Sequence, residues 1–230
     1  MEPVEYDETI HPVVWLNKIK SCCFKNQITK KEDIMEFCKS MVHPSIDVSK
    51  AKQRKLIRFG SCITLKHVAT GKYLTSCNVR YKTGSLRKIV FASQTLSNPN
   101  SLWIVSDYDQ KNESNPIIYG KSKVYFLNKG VNENIVISKT YKSPSTGNWE
   151  VSCILSRHMH LIESDSTNND DSTYIKSKEI INIRDGDVKF ILRSNEFLFT
   201  IDNETYQEVV GHEGRVDGND KWCIELFENE

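Results

Sequence analysis

No two cysteines in this chain have the Cys-x-x-Cys spacing of a metal knuckle or a redox motif. The seven present, Cys22, Cys23, Cys38, Cys62, Cys77, Cys153 and Cys223, are odd in number. Several sit inside apolar runs, as in Ser61-Cys62-Ile63 and Trp222-Cys223-Ile224, where a reduced thiol behaves as a small hydrophobe. They are expected as buried free thiols in a reducing setting, with neither a disulfide framework nor a metal site. Net charge is nearly absent as well: 31 Lys and Arg against 30 Asp and Glu leave a formal +1. No global field draws such a chain to nucleic acid or an anionic membrane, so any anion site must be local. No run approaches the roughly 18 apolar residues that span a bilayer. The opening Met-Glu-Pro-Val-Glu-Tyr-Asp-Glu is acidic and has neither the basic nor the apolar region of a secretory signal. The expectation is a soluble, cytoplasmic protein without membrane insertion. P-loop, Gly-x-Ser-x-Gly elbow, His-Glu-x-x-His helix and Gly-rich dinucleotide loop are all missing. The carboxylates are scattered, with no pair placed for glycosidase work. No catalytic residue, metal or cofactor is expected.

What is present falls into two regions of different period. In residues 1–54, Trp15, Leu16, Ile19, Cys22 and Cys23 recur at helical spacing behind Pro12, a residue suited to a first helical turn. Thr29-Lys30-Lys31-Glu32 fits a capping box. Ile34, Phe37, Cys38 and Met41 form a second stripe, which His43-Pro44 ends, since a residue before proline is pushed out of the α region. Two helices this short are marginal alone and must pack on something. The basic, polar stretch Ser49–Arg58 reads as a linker or a third short helix. After it the period becomes two, as in Cys62-Ile63-Thr64-Leu65-Lys66-His67. Short β-prone runs between Gly, Asn, Asp, Ser and Pro continue to the end. Residues 55–230 are expected to be all-β.

Three segments open alike. Gly60 leads through Ile63 and Leu65 to Thr70-Gly71-Lys72-Tyr73-Leu74. Gly120 leads through Val124 and Phe126 to Asn134-Ile135. Gly186 leads through Phe190 and Leu192 to Asn195-Glu196-Phe197-Leu198. Each then closes on a tryptophan: Trp103, Trp149 or Trp222. A strand pair, a variable loop and a closing strand make one unit of a β-trefoil. Three such units close a barrel capped by hairpins, which removes most free edges. The three tryptophans are expected at equivalent positions in the structural core, and segments 106–116 and 156–178 as excursions between units.

Leu65-Lys66-His67-Val68-Ala69-Thr70-Gly71-Lys72-Tyr73-Leu74-Thr75-Ser76 resembles the signature of the MIR family. Tyr81-Lys82-Thr83-Gly84-Ser85 and Asn100-Ser101-Leu102-Trp103 continue the likeness, as do Gln207 to His212 and Asn219 to Glu225. The family includes trefoils of protein O-mannosyltransferases, secreted proteins of the endoplasmic reticulum, and inositol-trisphosphate and ryanodine receptors. The resemblance implies a β-trefoil over about residues 56 to 230, serving as a binding module. Where luminal members carry His-x-His after Tyr-Leu, this chain has Thr75-Ser76-Cys77.

The one concentrated cluster is Arg80-Tyr81-Lys82-Thr83-Gly84-Ser85-Leu86-Arg87-Lys88. Arg80, Lys82, Arg87 and Lys88 surround a turn whose backbone N–H groups could cradle a phosphate. In the inositol-trisphosphate receptors the corresponding loop contributes basic phosphate contacts, as the resemblance implies. Three functions follow as expectations. The first is an intracellular adaptor that binds a protein partner. The second is a carbohydrate module using exposed aromatics such as Tyr141, or Tyr206 near Asn203. The third is an inositol-phosphate or phosphoinositide binder using loop 80–88. His158-x-His160 is expected as a surface or structural pair, and His67 and His212 as packed, hydrogen-bonded histidines in equivalent surroundings.

Overall fold

The alternation that begins at Cys62 produces twelve strands, four to a unit. They are β1 (Cys62–His67), β2 (Tyr73–Arg80), β3 (Lys88–Ser93) and β4 (Trp103–Asp107); then β5 (Lys123–Asn128), β6 (Glu133–Lys142), β7 (Trp149–Ile154) and β8 (His160–Ser164); then β9 (Glu179–Asp185), β10 (Ile191–Ile201), β11 (Glu204–His212) and β12 (Trp222–Leu226). The computed structural model describes residues 23, 37, 55–97, 99–109, 114–165, 173–187 and 190–228. The chain divides into two units, Met1–Arg54 and Lys55–Glu230. In the first, Cys23 and Phe37 are helical; the rest of the expected helical extension lies outside the described residues.

Six strands close a barrel through antiparallel pairs β1–β4, β4–β5, β5–β8, β8–β9, β9–β12 and β12–β1. The other six form hairpins β2–β3, β6–β7 and β10–β11, which pair with one another as β3–β7, β7–β11 and β11–β3. Because side chains alternate along a strand, every second barrel residue points inward. Ile63, Leu65, Val105, Val124, Phe126, Ile162, Ile181, Ile183 and Ile224 fill the interior and are buried. At roughly 25 cal/mol per Å² of apolar surface removed from water, this layer is the main source of stability.

One end of the barrel is closed by three isoleucines. The N–H of Ile57 donates to Ile175 O at 2.8 Å, that of Ile175 to Ile117 O at 3.0 Å, and that of Ile117 to Ile57 O at 3.0 Å. All three side chains are fully buried. Leu56–Arg58, at the end of the basic stretch and the start of the expected trefoil range, joins the barrel, with Leu56 bridging to Lys176 and Arg58 to Pro116. Each isoleucine is followed three residues on by a left-handed backbone at Gly60 (φ 87°), Gly120 (63°) and Lys178 (69°). The third unit thus opens at Lys178 and β9, not at Gly186, which lies in the β9–β10 loop. A lysine tolerates this backbone at a cost of order 1 kcal/mol, so the glycine signal was missing there.

The three tryptophans do not occupy equivalent positions, contrary to expectation. Trp103 opens β4 and Trp222 opens β12; both are fully buried, with ring N–H groups donating to Leu74 O at 2.9 Å and Leu192 O at 3.0 Å. Trp149 instead opens β7, a cap strand, and is only partly buried, stacked on Phe190 with centroids 4.9 Å apart. The barrel position equivalent to the two buried tryptophans belongs to His160, first residue of β8. Register shows the equivalence: His67 faces Trp222, Asn128 faces Trp103, and Asp185 faces His160. Strand β8 lies inside the 156–178 stretch expected as an excursion.

Candidate functional site: a pocket in the hairpin cap

The strands β1, β5 and β9 run from the isoleucine end toward the hairpins, so the cap forms the opposite end of the barrel. There the three hairpins enclose a pocket of about 180 Å³ to which all three units contribute. The first supplies the β2–β3 loop. Its turn is closed by Tyr81 N–H donating to Arg87 O at 3.0 Å and by left-handed backbone at Gly84 and Leu86. The left-handed backbone at Gly84 (φ 72°) favours glycine, and a side chain there would push the Glu150 carboxylate aside. Tyr81 donates its hydroxyl proton to Val151 O at 3.0 Å. Burial first, then the charges of Glu150 and Glu208, hold that phenol well above its ordinary range.

Glu150 on β7 and Glu208 on β11 are each 6% exposed. Glu150 Oε2 accepts from Ser85 N–H at 3.2 Å, and Glu208 Oε1 accepts from the Ser143 hydroxyl. The second oxygen of each, Glu150 Oε1 and Glu208 Oε2, is buried without a hydrogen-bond partner. An unmatched buried carboxylate oxygen costs about 1–3 kcal/mol or more. Phe199, Ile201, Val209 and Val210 give the pocket apolar walls. Each unit also exposes an apolar side chain close in sequence to a lining residue: Leu86 at 57%, two residues after Gly84; Tyr141 at 40%, next to Lys142; and Leu198 at 58%, next to Phe199.

Of the four expected cations, only Lys82 lines this pocket. Lys82 pairs with Asp202 at 3.0 Å, both exposed, and Lys88 forms a half-hidden pair with Glu133 at 2.8 Å. Arg80 donates to Leu86 O at 3.3 Å, and Arg87 follows on the same loop. The structure brings them to one loop but does not aim them at a common point. Moreover, one of the turn's backbone N–H groups, that of Ser85, is already held by Glu150. The pocket residues themselves, Glu150 and Glu208, were missed. Their only sequence signal is a carboxylate set between apolar strand neighbours, as in Trp149-Glu150-Val151 and Glu208-Val209.

The histidines divide. His67 is fully buried and hydrogen-bonded, with Nδ1 2.9 Å from Thr70 Oγ1 and Nε2 3.0 Å from Asn219 O. His212, on a cap strand rather than a barrel strand, contacts Arg193 at 3.1 Å; its surroundings are not equivalent to those of His67. His158 pairs with the buried Asp185. His160 is buried with Nδ1 unpartnered, and desolvation, reinforced by His158, pushes its pKa down to about 3. Of the aromatics expected for sugar, Tyr141 is exposed at the pocket, whereas Tyr206 is packed between Phe91 and Phe199 at 4.7 and 5.5 Å.

No protein-family model matches this sequence, and no curated protein sequence does. Solved structures do match. An SDF2-like protein from Arabidopsis thaliana superposes with a TM-score of 0.64 at 21% identity, over 76% of this chain and 100% of that one. In the S. cerevisiae protein O-mannosyltransferase Pmt1-Pmt2 complex bound to the sugar donor, the TM-score is 0.65 at 19% identity, over 75% of this chain and 26% of that one. The fold is a MIR-type β-trefoil. A ricin B-like lectin from Macrolepiota procera in complex with lactose is similar at a greater distance, with a TM-score of 0.51 at 11% identity over 75% of this chain and 99% of that one. Among the described residues of this MIR-type trefoil, no cluster of His, Cys, Asp and Glu could hold a metal ion, and no helix is long and apolar enough to cross a membrane.

Proposed function

We propose that the MIR-type trefoil is a non-catalytic binding module that docks a partner protein on its hairpin cap. The observation that carries this reading is the set of exposed apolar side chains, Leu86, Tyr141 and Leu198, one from each unit and each within two residues in sequence of a residue that lines the cap pocket. Exposed apolar groups gathered round a concave site mark interaction surfaces. Leu86 adds weight, because its left-handed backbone (φ 58°) is unusual for leucine and is the kind of strain found at functional sites. A cytoplasmic, adaptor-like role suits this reading, as do the reduced thiols Cys62, Cys77 and Cys153; the helical extension is proposed as a second contact element.

The test compares the wild type with a Leu86→Asp, Leu198→Asp variant in affinity capture followed by binding measurements with each purified candidate. A partner whose affinity falls at least about tenfold, for a variant with unchanged melting temperature, supports the reading. Equal affinity for every partner would sink it. A carbohydrate ligand is the second reading, favoured by the exposed Tyr141 ring beside carboxylates that accept sugar hydroxyls. An inositol-phosphate ligand is a third, resting mainly on Arg80 and Arg87. A thermal-shift panel of mannose-type oligosaccharides and inositol phosphates at two salt concentrations separates them, since a ligand of the folded state raises its melting temperature and only the phosphate effect fades with salt.

A further inference from the structure

We propose that the cap pocket takes the guanidinium of an arginine side chain presented by the partner protein. The inference rests on the docking reading above and specifies its centre. Glu150 and Glu208 each keep one oxygen tied to the protein and leave the other buried and unpartnered. Both residues line the same pocket, together with Tyr81 and Phe199. Two acceptor-only groups with unmet hydrogen-bonding capacity call for a donor, and a charged donor is favoured by both negative charges at once.

The cations nearby do not meet that demand. Lys82 is paired with the exposed Asp202, and the Lys142 ammonium sits 4.6 Å from the centroid of the Trp149 ring. The shape of the pocket narrows the class further. Its volume, about 180 Å³, is below the roughly 300–1,000 Å³ of sites for drug-sized ligands and suits a single side chain. A divalent metal would want six or more oxygens, whereas Phe199, Ile201 and Val210 line this pocket with hydrocarbon. A cation on an apolar stem fits both halves: its methylenes lie against the apolar wall while the charged head reaches the carboxylates. The planar fork of arginine can engage two separately placed oxygens, which a compact ammonium does less well.

The test uses the full chain and amide NMR, with Nα-acetylarginine amide as probe and its neutral isostere, Nα-acetylcitrulline amide, as control. The expected result is saturable shifts at Gly84, Ser85 and Phe199 with arginine in the millimolar range, and binding at least about tenfold weaker with citrulline. Glu150→Gln and Glu208→Gln, which preserve shape and keep a carbonyl oxygen for Ser85 N–H or the Ser143 hydroxyl, should each weaken arginine binding by a similar factor. Equal shifts from citrulline, no shift from arginine, or the same shifts from calcium chloride alone would overturn the proposal. Should Leu86→Asp, Leu198→Asp lose the partner while both glutamine variants bind it fully, the arginine pocket falls and the docking surface stands. Arginine binding that survives unchanged in the wild type when no partner depends on Leu86 or Leu198 would leave the pocket standing without the surface.

Discussion

The two ends of the barrel are built on different terms. At one, Ile57, Ile117 and Ile175 repeat the same residue and the same hydrogen bond three times, with each side chain fully buried. At the other, the second and third units place Glu150 and Glu208 at equivalent points of β7 and β11, the first breaks the pattern with Ile89 there and Tyr81 nearby, and two carboxylate oxygens remain unmatched. Where only packing is at stake, the pseudo-threefold solution is kept. Where it is broken, local rules of polar satisfaction are broken with it, and such departures concentrate at sites that serve something besides stability.

The sharpest way to break this comparison is to truncate the tryptophans. Trp103→Ala and Trp222→Ala should each cost about 3–5 kcal/mol in urea unfolding, as buried aromatic truncations do, and Trp149→Ala clearly less. Equal losses at all three would mean that Trp149 is a barrel residue after all. Next, Ile57→Ala, Ile117→Ala and Ile175→Ala should each cost roughly 2–5 kcal/mol and agree among themselves within about 1 kcal/mol. A wide spread would deny the symmetry of that end.

A pH titration probes the odd member of the aromatic set. Folding holds the His160 pKa near 3, below its unfolded value, so between these values the unfolded state binds more protons. The contribution is complete above about pH 6.5 and is lost as pH falls toward 3. Between pH 7 and pH 5 the wild type should lose on the order of 2 kcal/mol more than His160→Phe; parallel curves would refute the burial of a neutral ring. At the cap, Glu150→Gln and Glu208→Gln should be neutral or raise stability by up to about 1 kcal/mol, because each removes a buried, half-satisfied charge. A loss comparable to the isoleucine series would show that these carboxylates serve the fold. The smallest effect belongs to Arg80→Ala, within about 0.5 kcal/mol, read by melting temperature.

How much of this was legible in the sequence depended on which feature carried the signal. Trp103 and Trp222 could be placed because the motif around each survives. Trp149 was drawn into their role because the true counterpart, His160, had changed residue type, and a tryptophan eleven positions earlier offered itself. The third unit was started late because Lys178 occupies the left-handed turn that glycine fills at 60 and 120. The isoleucine triangle left no periodic trace, since each member sits between two isolated bridge residues rather than in a strand. Loop 80–88 was found through its charge, and it does border the pocket. The carboxylates within were invisible, because a glutamate on a strand reads as solvent-facing unless the cross-strand partners that bury it are known.

The ladder between β1 and β12 has a mechanical consequence. Ile63 pairs with Leu226 and His67 with Trp222, while Lys55 meets Glu228 at 2.6 Å, so the trefoil is entered and left at adjacent points on the same end of one antiparallel pair. Tension applied between those points loads the hydrogen bonds singly, peeling the pair like a zip instead of shearing all its bonds together. A module attached this way opens readily to a pull and is suited to being carried on a chain, not to bearing the strain along it.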